Sequence, residues 1–158
     1  MRAKKKVLLL GPAHPYRGGI ADTQNYLAQN ISRLGHEVLV FTFKYQYPKL
    51  LFPGKTQYSS IPAPKGINIK RKVHSINPLN WIKTSNEINQ YNPDIVLFRY
   101  WTPFLAPCWN WISKRLSSNI KKIAVVDNWI PHERKPWDYI LNDLFGKRMD
   151  AFVTLSKA

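Results

Sequence analysis

The sequence predicts an α/β domain built on a doubly wound, mainly parallel sheet. Three observations carry this. The opening thirty-five residues read as strand, long glycine-bearing turn and helix, from Val7-Leu8-Leu9-Leu10 through Gly18-Gly19 to Leu34. Apolar runs and helical stretches then alternate down the chain, as parallel strands with right-handed crossovers require. A length of 158 residues is one domain's worth of chain and can bury a core.

The elements follow in order. The first strand covers residues 6–10. The first helix carries Ile20, Leu27, Ile31 and Leu34 at helical spacing and stops at Gly35, which suits the position after a helix end. Val38–Phe43 reads as the second strand. A stretch with Pro48, Pro53, Gly54, Pro62 and Pro64 is too long for an ordinary helix-to-strand connection. Ile67–His74 reads as a short strand, and Asn77-Pro78 as an N-cap with proline at the first helical position, opening a helix to about Tyr91. Asn92-Pro93-Asp94 turns the chain into a fourth strand, Ile95–Phe98. A helix over Pro103–Ser118, a strand over Ile123–Val126, a loop over 127–134 and a helix over 136–148 come next. The last strand is Ala151–Leu155, and a cut from a longer protein is the expected reason for the stop at Ser156-Lys157-Ala158.

In open α/β sheets ligands bind where strand carboxyl ends meet helix amino ends. Gly18-Gly19 lies at such a place. Two glycines let the backbone approach a ligand, and a helix starting at Ile20 adds amide donors and a positive dipole end. A diphosphate with Arg17 beside it fits; a plain turn needing positive φ is the other reading. The turn lacks the Gly-x-Gly-x-x-Gly of dinucleotide enzymes and the Gly-Lys-Ser/Thr of a P-loop, which counts against both classes.

The second cluster is Asp127-Asn128-Trp129-Ile130-Pro131-His132-Glu133, after the fifth strand. His132 is its candidate general acid/base or sugar contact. The same residues also suit a turn followed by a helix cap. The third feature is aromatic: Tyr100, Trp101, Phe104, Trp109 and Trp111, with Lys114 and Arg115 behind them. Rings and cations on one helix suit a membrane interface, with Trp109, Lys114 and Arg115 facing it. Base stacking and simple core packing use the same rings. There is no Asp-x-Asp pair for a metal, no zinc-type Cys/His spacing and no Gly-x-Ser-x-Gly. Cys108 stands alone and is expected to be an ordinary buried thiol.

Twenty-four Lys and Arg against nine Asp and Glu give a net charge of +15. Residues 44–86 hold eight basic side chains and no acidic one, and residues 95–126 hold five and none. Such an excess implies an anionic partner, and a merely solvated surface is the alternative. The basic amino terminus precedes an apolar run too short for a signal peptide, and no segment is long enough to span a membrane, so a cytoplasmic location is expected.

Taken together, Val7-Leu8-Leu9-Leu10-Gly11-Pro12, Tyr16-Arg17-Gly18-Gly19-Ile20-Ala21, Leu34-Gly35-His36-Glu37-Val38 and Asn92-Pro93-Asp94-Ile95-Val96-Leu97 resemble the amino-terminal domain of GT-B-fold glycosyltransferases. The group is the large retaining family four, "glycosyl transferases group 1". Asp127 through Pro136 resembles a bacterial subset, and Asp150 through Ala158 resembles the domain's end. The family places a histidine directly after the fifth strand; here Asp127-Asn128 stand there and the histidine comes at 132.

The resemblance implies a Rossmann-like domain over 1–158, the acceptor side of a two-domain enzyme, with the donor-binding carboxyl-terminal domain outside this chain. It implies metal-independent transfer of a sugar from a nucleotide-diphosphate sugar to a hydroxyl acceptor, in bacterial surface polysaccharide or glycolipid assembly. No cofactor beyond the donor substrate is expected, and these residues alone should be inactive. Arg17, Gly18 and Gly19 would meet the donor phosphates, His132 the sugar, and Arg99, Asp127, Asn128 and Glu133 would line the cleft. The expected partners are the donor, a sugar or lipid-linked acceptor, the missing domain and an anionic membrane surface on the inner face, with no nucleic acid. A non-enzymatic basic module that binds nucleic acid is the rival reading.

Overall fold

The computed structural model describes residues 3–48, 57–130 and 135–154. The strands are β1 (Lys6–Leu10), β2 (Glu37–Tyr45), β3 (Asn68–His74), β4 (Ile95–Tyr100), β5 (Lys121–Val126) and β6 (Ala151–Thr154). The helices are α1 (Gly19–Arg33), α2 (Pro78–Tyr91), α3 (Ala106–Arg115) and α4 (Asp138–Gly146). The six strands form one sheet in the order β3-β2-β1-β4-β5-β6, and every pairing is parallel. The order reverses at β1 and β4, so the two loops leaving those strands part and open a crevice at the carboxyl edge.

Local chemistry explains the elements. Leu8, Leu9 and Leu10 are wholly buried because β1 is central and both its faces are covered. At the start of α2, the Asn77 side chain accepts from the amides of Leu79 and Asn80, and Pro78 fills the first turn, where no amide donor is needed. Asn92 ends that helix in the left-handed region, at φ 49°. Gly35 does the same after α1, at φ 90°.

Helices α2, α3 and α4 share one face of the sheet, above the larger core cluster of Leu8, Phe43, Phe98, Tyr100, Trp109, Ile112 and Phe145. Helix α1 covers part of the other face, above Val7, Leu9, Ala28 and Val40. The β2–β3 connection carries no helix among its described residues, as its prolines predict.

Three expectations are corrected. The single helix expected over 103–118 is a 3-10 turn, Pro103–Leu105, followed by α3, which ends at Arg115. Pro107 lacks the amide that would continue an α-helix from Pro103, and Leu116 turns extended. β4 and β2 each run two residues further, to Tyr100 and Tyr45; the added Arg99 and Tyr100 are buried, whereas Lys44 is exposed and Tyr45 half-buried. Trp109 does not face a membrane. It is fully buried, packs against Phe43 and Phe98, and its Nε1 donates to the Arg99 carbonyl at 3.0 Å. A core position that also satisfies the indole N–H is favoured over an interface.

Candidate functional site

A cavity of 1290 Å³ opens at the carboxyl edge of the sheet. Its walls come from the segments just after five strands: Arg17, Gly18 and Gly19 after β1, Gln46 and Tyr47 after β2, Ser75 and Ile76 after β3, Trp101 and Phe104 after β4, and Lys135 and Asp138 after β5. Doubly wound topology requires this, since every loop at that edge feeds a helix or a return crossing.

Gly18 caps α1 at φ 111°, a conformation that L side chains rarely adopt, so the backbone itself demands glycine there. Gly19 has no such demand. A Cβ built on either glycine would meet nothing within 4 Å. No side chain caps α1, so no side-chain oxygen occupies the front of its first-turn amides. The first turn thus presents bare backbone and a positive dipole end to the cavity. Arg17 is exposed beside it, with its amide donating to the Gln57 carbonyl at 3.0 Å.

Arg99 does not line this cavity. It is 1% exposed, and its Nε and Nη2 both donate to the Asp127 carboxylate. Nη2 also donates to Thr23 Oγ1 at 2.9 Å, and that hydroxyl donates to the Gly19 carbonyl at 2.7 Å. Arg99 and Asp127 therefore form a buried clamp that ties the start of the 127–133 loop to the first turn of α1. Gly11 makes room for it, since a Cβ there would lie 2.6 Å from Arg99 Cβ. Asn128 follows the clamp and is not among the cavity-lining residues. His132 and Glu133 lie outside the described residues.

The loop after β5 is anchored on its near side by Trp129. That ring packs against Tyr100, Phe145 and Phe152, and the Trp129 carbonyl accepts from Asn142 Nδ2 at 2.7 Å. Asn142 Oδ1 in turn accepts from the Tyr100 hydroxyl. Burial raises the Tyr47 hydroxyl pKa, and burial followed by the neighbouring Tyr58 pushes Tyr16 up to about 12. Both phenols lining the cavity stay neutral near pH 7 and act as hydrogen-bonding groups, not bases. Cys108 is buried and its thiol is pushed well up by burial, in keeping with an inert side chain.

Sequence reasoning found Arg17, Gly18 and Gly19 as wall residues and missed Gln46, Tyr47, Ser75 and Trp81. A signal existed for the first three of these, because each stands one or two residues past a strand end. Trp81 lies inside a helix and only packing brings it to the wall.

A family model described as Glycosyltransferase Family 4 matches residues 17–158. No curated protein matches the sequence. Among solved structures, the chain is similar to an alpha-glucosyltransferase in complex with UDP and a 13-mer DNA containing a central A:G mismatch. The TM-score is 0.59 at 13% identity, over 99% of this chain and 38% of that one. It is also similar to an alpha-glucosyltransferase in complex with UDP and a 13-mer DNA containing an HMU base, at TM-score 0.60 and 12% identity, over 96% of this chain and 36% of that one. A third, an alpha-glucosyltransferase in complex with UDP, gives TM-score 0.55 and 14% identity, over 94% of this chain and 35% of that one. The chain thus spans a little over a third of the length of these structures, and at such identities the likeness shows the fold.

Proposed function

The chain belongs to glycosyltransferase family 4, and from that premise we propose that it is the amino-terminal, acceptor-side half of a retaining enzyme. That enzyme moves a sugar from a nucleotide-diphosphate donor to a hydroxyl acceptor. One observation carries the donor side of this reading: the uncapped, unobstructed first turn of α1 at Gly18-Gly19, facing a large cavity. As the donor's sugar–phosphate bond breaks, negative charge grows on the departing diphosphate. Fixed amides and the Arg17 guanidinium would stabilise it without reorganisation. No metal is needed in this reading, and the sequence has no Asp-x-Asp pair to hold one.

His132 would contact the sugar at the reacting centre. The Arg99–Asp127 clamp would hold its loop in register with the glycine turn, a positioning role. The UDP bound to the similar glucosyltransferases makes UDP-sugars the first donors to try. The acceptor would be carried at the inner face of a membrane, in polysaccharide or glycolipid assembly, which gives the basic surface a partner.

The test uses the whole protein with a panel of nucleotide-sugars, reading nucleotide release and the anomeric configuration of the product. Gly19→Val should keep the fold, since nothing crowds that position, and should lose about 10²-fold or more in turnover. His132→Ala should lower turnover by about 10²–10⁴-fold. Undiminished turnover in Gly19→Val would remove the diphosphate from this turn.

A further inference from the structure

Gly18 and Gly19 have no side chains to pack, so the place of their turn is set by what holds the residues on either flank. Behind Gly18 runs α1. In front, residues 13–17 are gripped from two sides. From the sheet, the Thr42 hydroxyl accepts from the Ala13 amide at 2.9 Å. From the β2–β3 connection, the Gln57 carbonyl accepts from the Arg17 amide at 3.0 Å, and the Ser59 amide donates to the Pro15 carbonyl at 2.7 Å. These two bonds make an antiparallel bridge between Tyr16 and Tyr58. Residues 57–59 therefore lie as a strap across the approach to the glycine turn.

A two-bond bridge is marginal by itself. Its support comes from side chains. The β2–β3 register slips between Thr42 and Phe43 and again between Phe43 and Tyr45. There the Arg71 guanidinium reaches from β3 to β2: Nε donates to the Phe43 carbonyl and Nη2 to the Lys44 carbonyl, each at 3.1 Å. Two backbone acceptors fix the plane of the guanidinium. Nη2 also donates to the Tyr58 hydroxyl at 3.1 Å, and the guanidinium carbon lies 5.4 Å from the Tyr58 ring centroid and 6.0 Å from that of Tyr16. The two rings are 5.3 Å apart. Tyr16 is buried and meets Phe43 edge-on.

From this arrangement we infer that Arg71 is a positioning residue: through Tyr58 and Tyr16 it holds the strap on residues 15–17 and so sets the glycine turn against the cavity. The inference rests on the glycosyltransferase reading above and adds a residue that touches no substrate. Among the described residues Arg71 does not line the cavity, and its Nε and Nη2 are committed to carbonyls and a phenol. It acts on the place of the amides, not on the charge they meet. That place matters, because a shift of roughly 1 Å in groups aimed at developing charge can cost about 10²-fold in rate. Lysine is a poor substitute here, since a point charge lacks the planar fork that serves two carbonyls and lies against two rings.

The test pairs amide hydrogen exchange on the chain, read by NMR, with steady-state turnover of the whole protein on a panel of nucleotide-sugars. Arg71→Met and Tyr58→Leu should each speed exchange of the Arg17 and Ser59 amides by about tenfold, while the β1 amides of Leu8, Leu9 and Leu10 keep their rates. Both variants should lower kcat by about tenfold with little change in donor KM. Tyr58→Phe keeps the ring and loses one hydroxyl, so it should recover most of both effects. Lys70→Met removes an exposed cation from the same strand and should change neither. Faster exchange with kcat unchanged would overturn the positioning role. So would an equal loss in Lys70→Met, or faster exchange shared by the β1 amides, which would make Arg71 a general stabiliser. If the wild type turns over nucleotide-sugar and the variants leave exchange untouched, this inference fails and the glycosyltransferase reading stands. If the wild type turns over none, that reading fails, and the exchange rates alone decide whether Arg71 holds the turn.

Discussion

Arg99 shows how a residue type can point to one role and its surroundings give it another. An arginine near a phosphate-type turn reads as an anion ligand, yet its donors are committed to Asp127 and Thr23 beneath the cavity. Removing one partner of a buried pair leaves the other charged and unsatisfied, at a cost of about 3–5 kcal/mol. Arg99→Met should therefore destabilise the chain by that order in denaturant unfolding. Arg99→Met combined with Asp127→Asn should recover part of the loss, because no lone carboxylate then remains. A double variant no more stable than the single one would mean that the guanidinium acts through packing alone. Asp94 gives a pH counterpart. Its carboxyl is held below the usual carboxylate range, chiefly by the Lys6 amide at 2.7 Å and then by the Lys5 ammonium. A depressed folded-state value stabilises above the unfolded value and fades as pH falls through the folded one. The stability gap between the wild type and Asp94→Asn should accordingly be present at neutral pH and close in acid, as pH-dependent urea midpoints would show.

The elements follow local rules wherever one residue settles them. Asp94 accepts from the Lys6 amide at the start of β1, and Asp150 accepts from the Lys122 amide near the start of β5 at 2.6 Å. Each aspartate directly precedes or sits within one residue of its own strand, so the amino edge of the sheet is stapled twice by the same device. The Asn77 cap was legible for the same reason: Asn followed by Pro has one cheap conformation at a helix start. Asn77→Ala should cost about 1 kcal/mol by thermal unfolding, and an unchanged midpoint would show that Pro78 alone sets the helix start. The broken helix at 103–115 was less legible. A proline in the first turn of a helix and a proline that divides a 3-10 turn from an α-helix look alike until the carbonyl it cannot serve is placed.

Across the whole molecule, charge and exposure need separate treatment. Trp109 is core, but Lys114 and Arg115 at the end of α3 remain exposed, and Trp137, at the cap of α4, joins Ile140 and Leu144 of that helix in facing solvent. These three lie at helical spacing on one stripe, with Lys147 and Arg148 just past the helix end. Each Lys or Arg that reaches an anionic bilayer is worth about 1 kcal/mol, and the attraction fades within a Debye length. The chain should co-sediment with vesicles containing anionic lipid, be released by salt, and leave neutral vesicles alone. Lys114→Glu with Arg115→Glu should weaken the binding, and so should Ile140→Glu with Leu144→Glu, without loss of helix signal. Retention of nucleic acid in place of anionic vesicles would favour the nucleic-acid module over the membrane.

The parallel, doubly wound sheet and the glycine turn at its carboxyl edge were legible because hydrophobic period and turn chemistry are local, and right-handed crossovers leave little choice of topology. Gly18 and Gly19 reached the cavity as their position after β1 demands. Whether an arginine is a ligand or a clamp, and whether a tryptophan is core or interface, depends on partners far along the chain: Asp127 is 28 residues from Arg99, and Thr23 is 76 away. The same holds for Gln46 and Ser75, ordinary polar residues until the fold buries their oxygens, which have no hydrogen-bond partner among the described residues. Periodicity and turn chemistry belong to the sequence because neighbours in the chain set them. Burial and pairing belong to the tertiary structure because they are set by residues that only the packed sheet brings together.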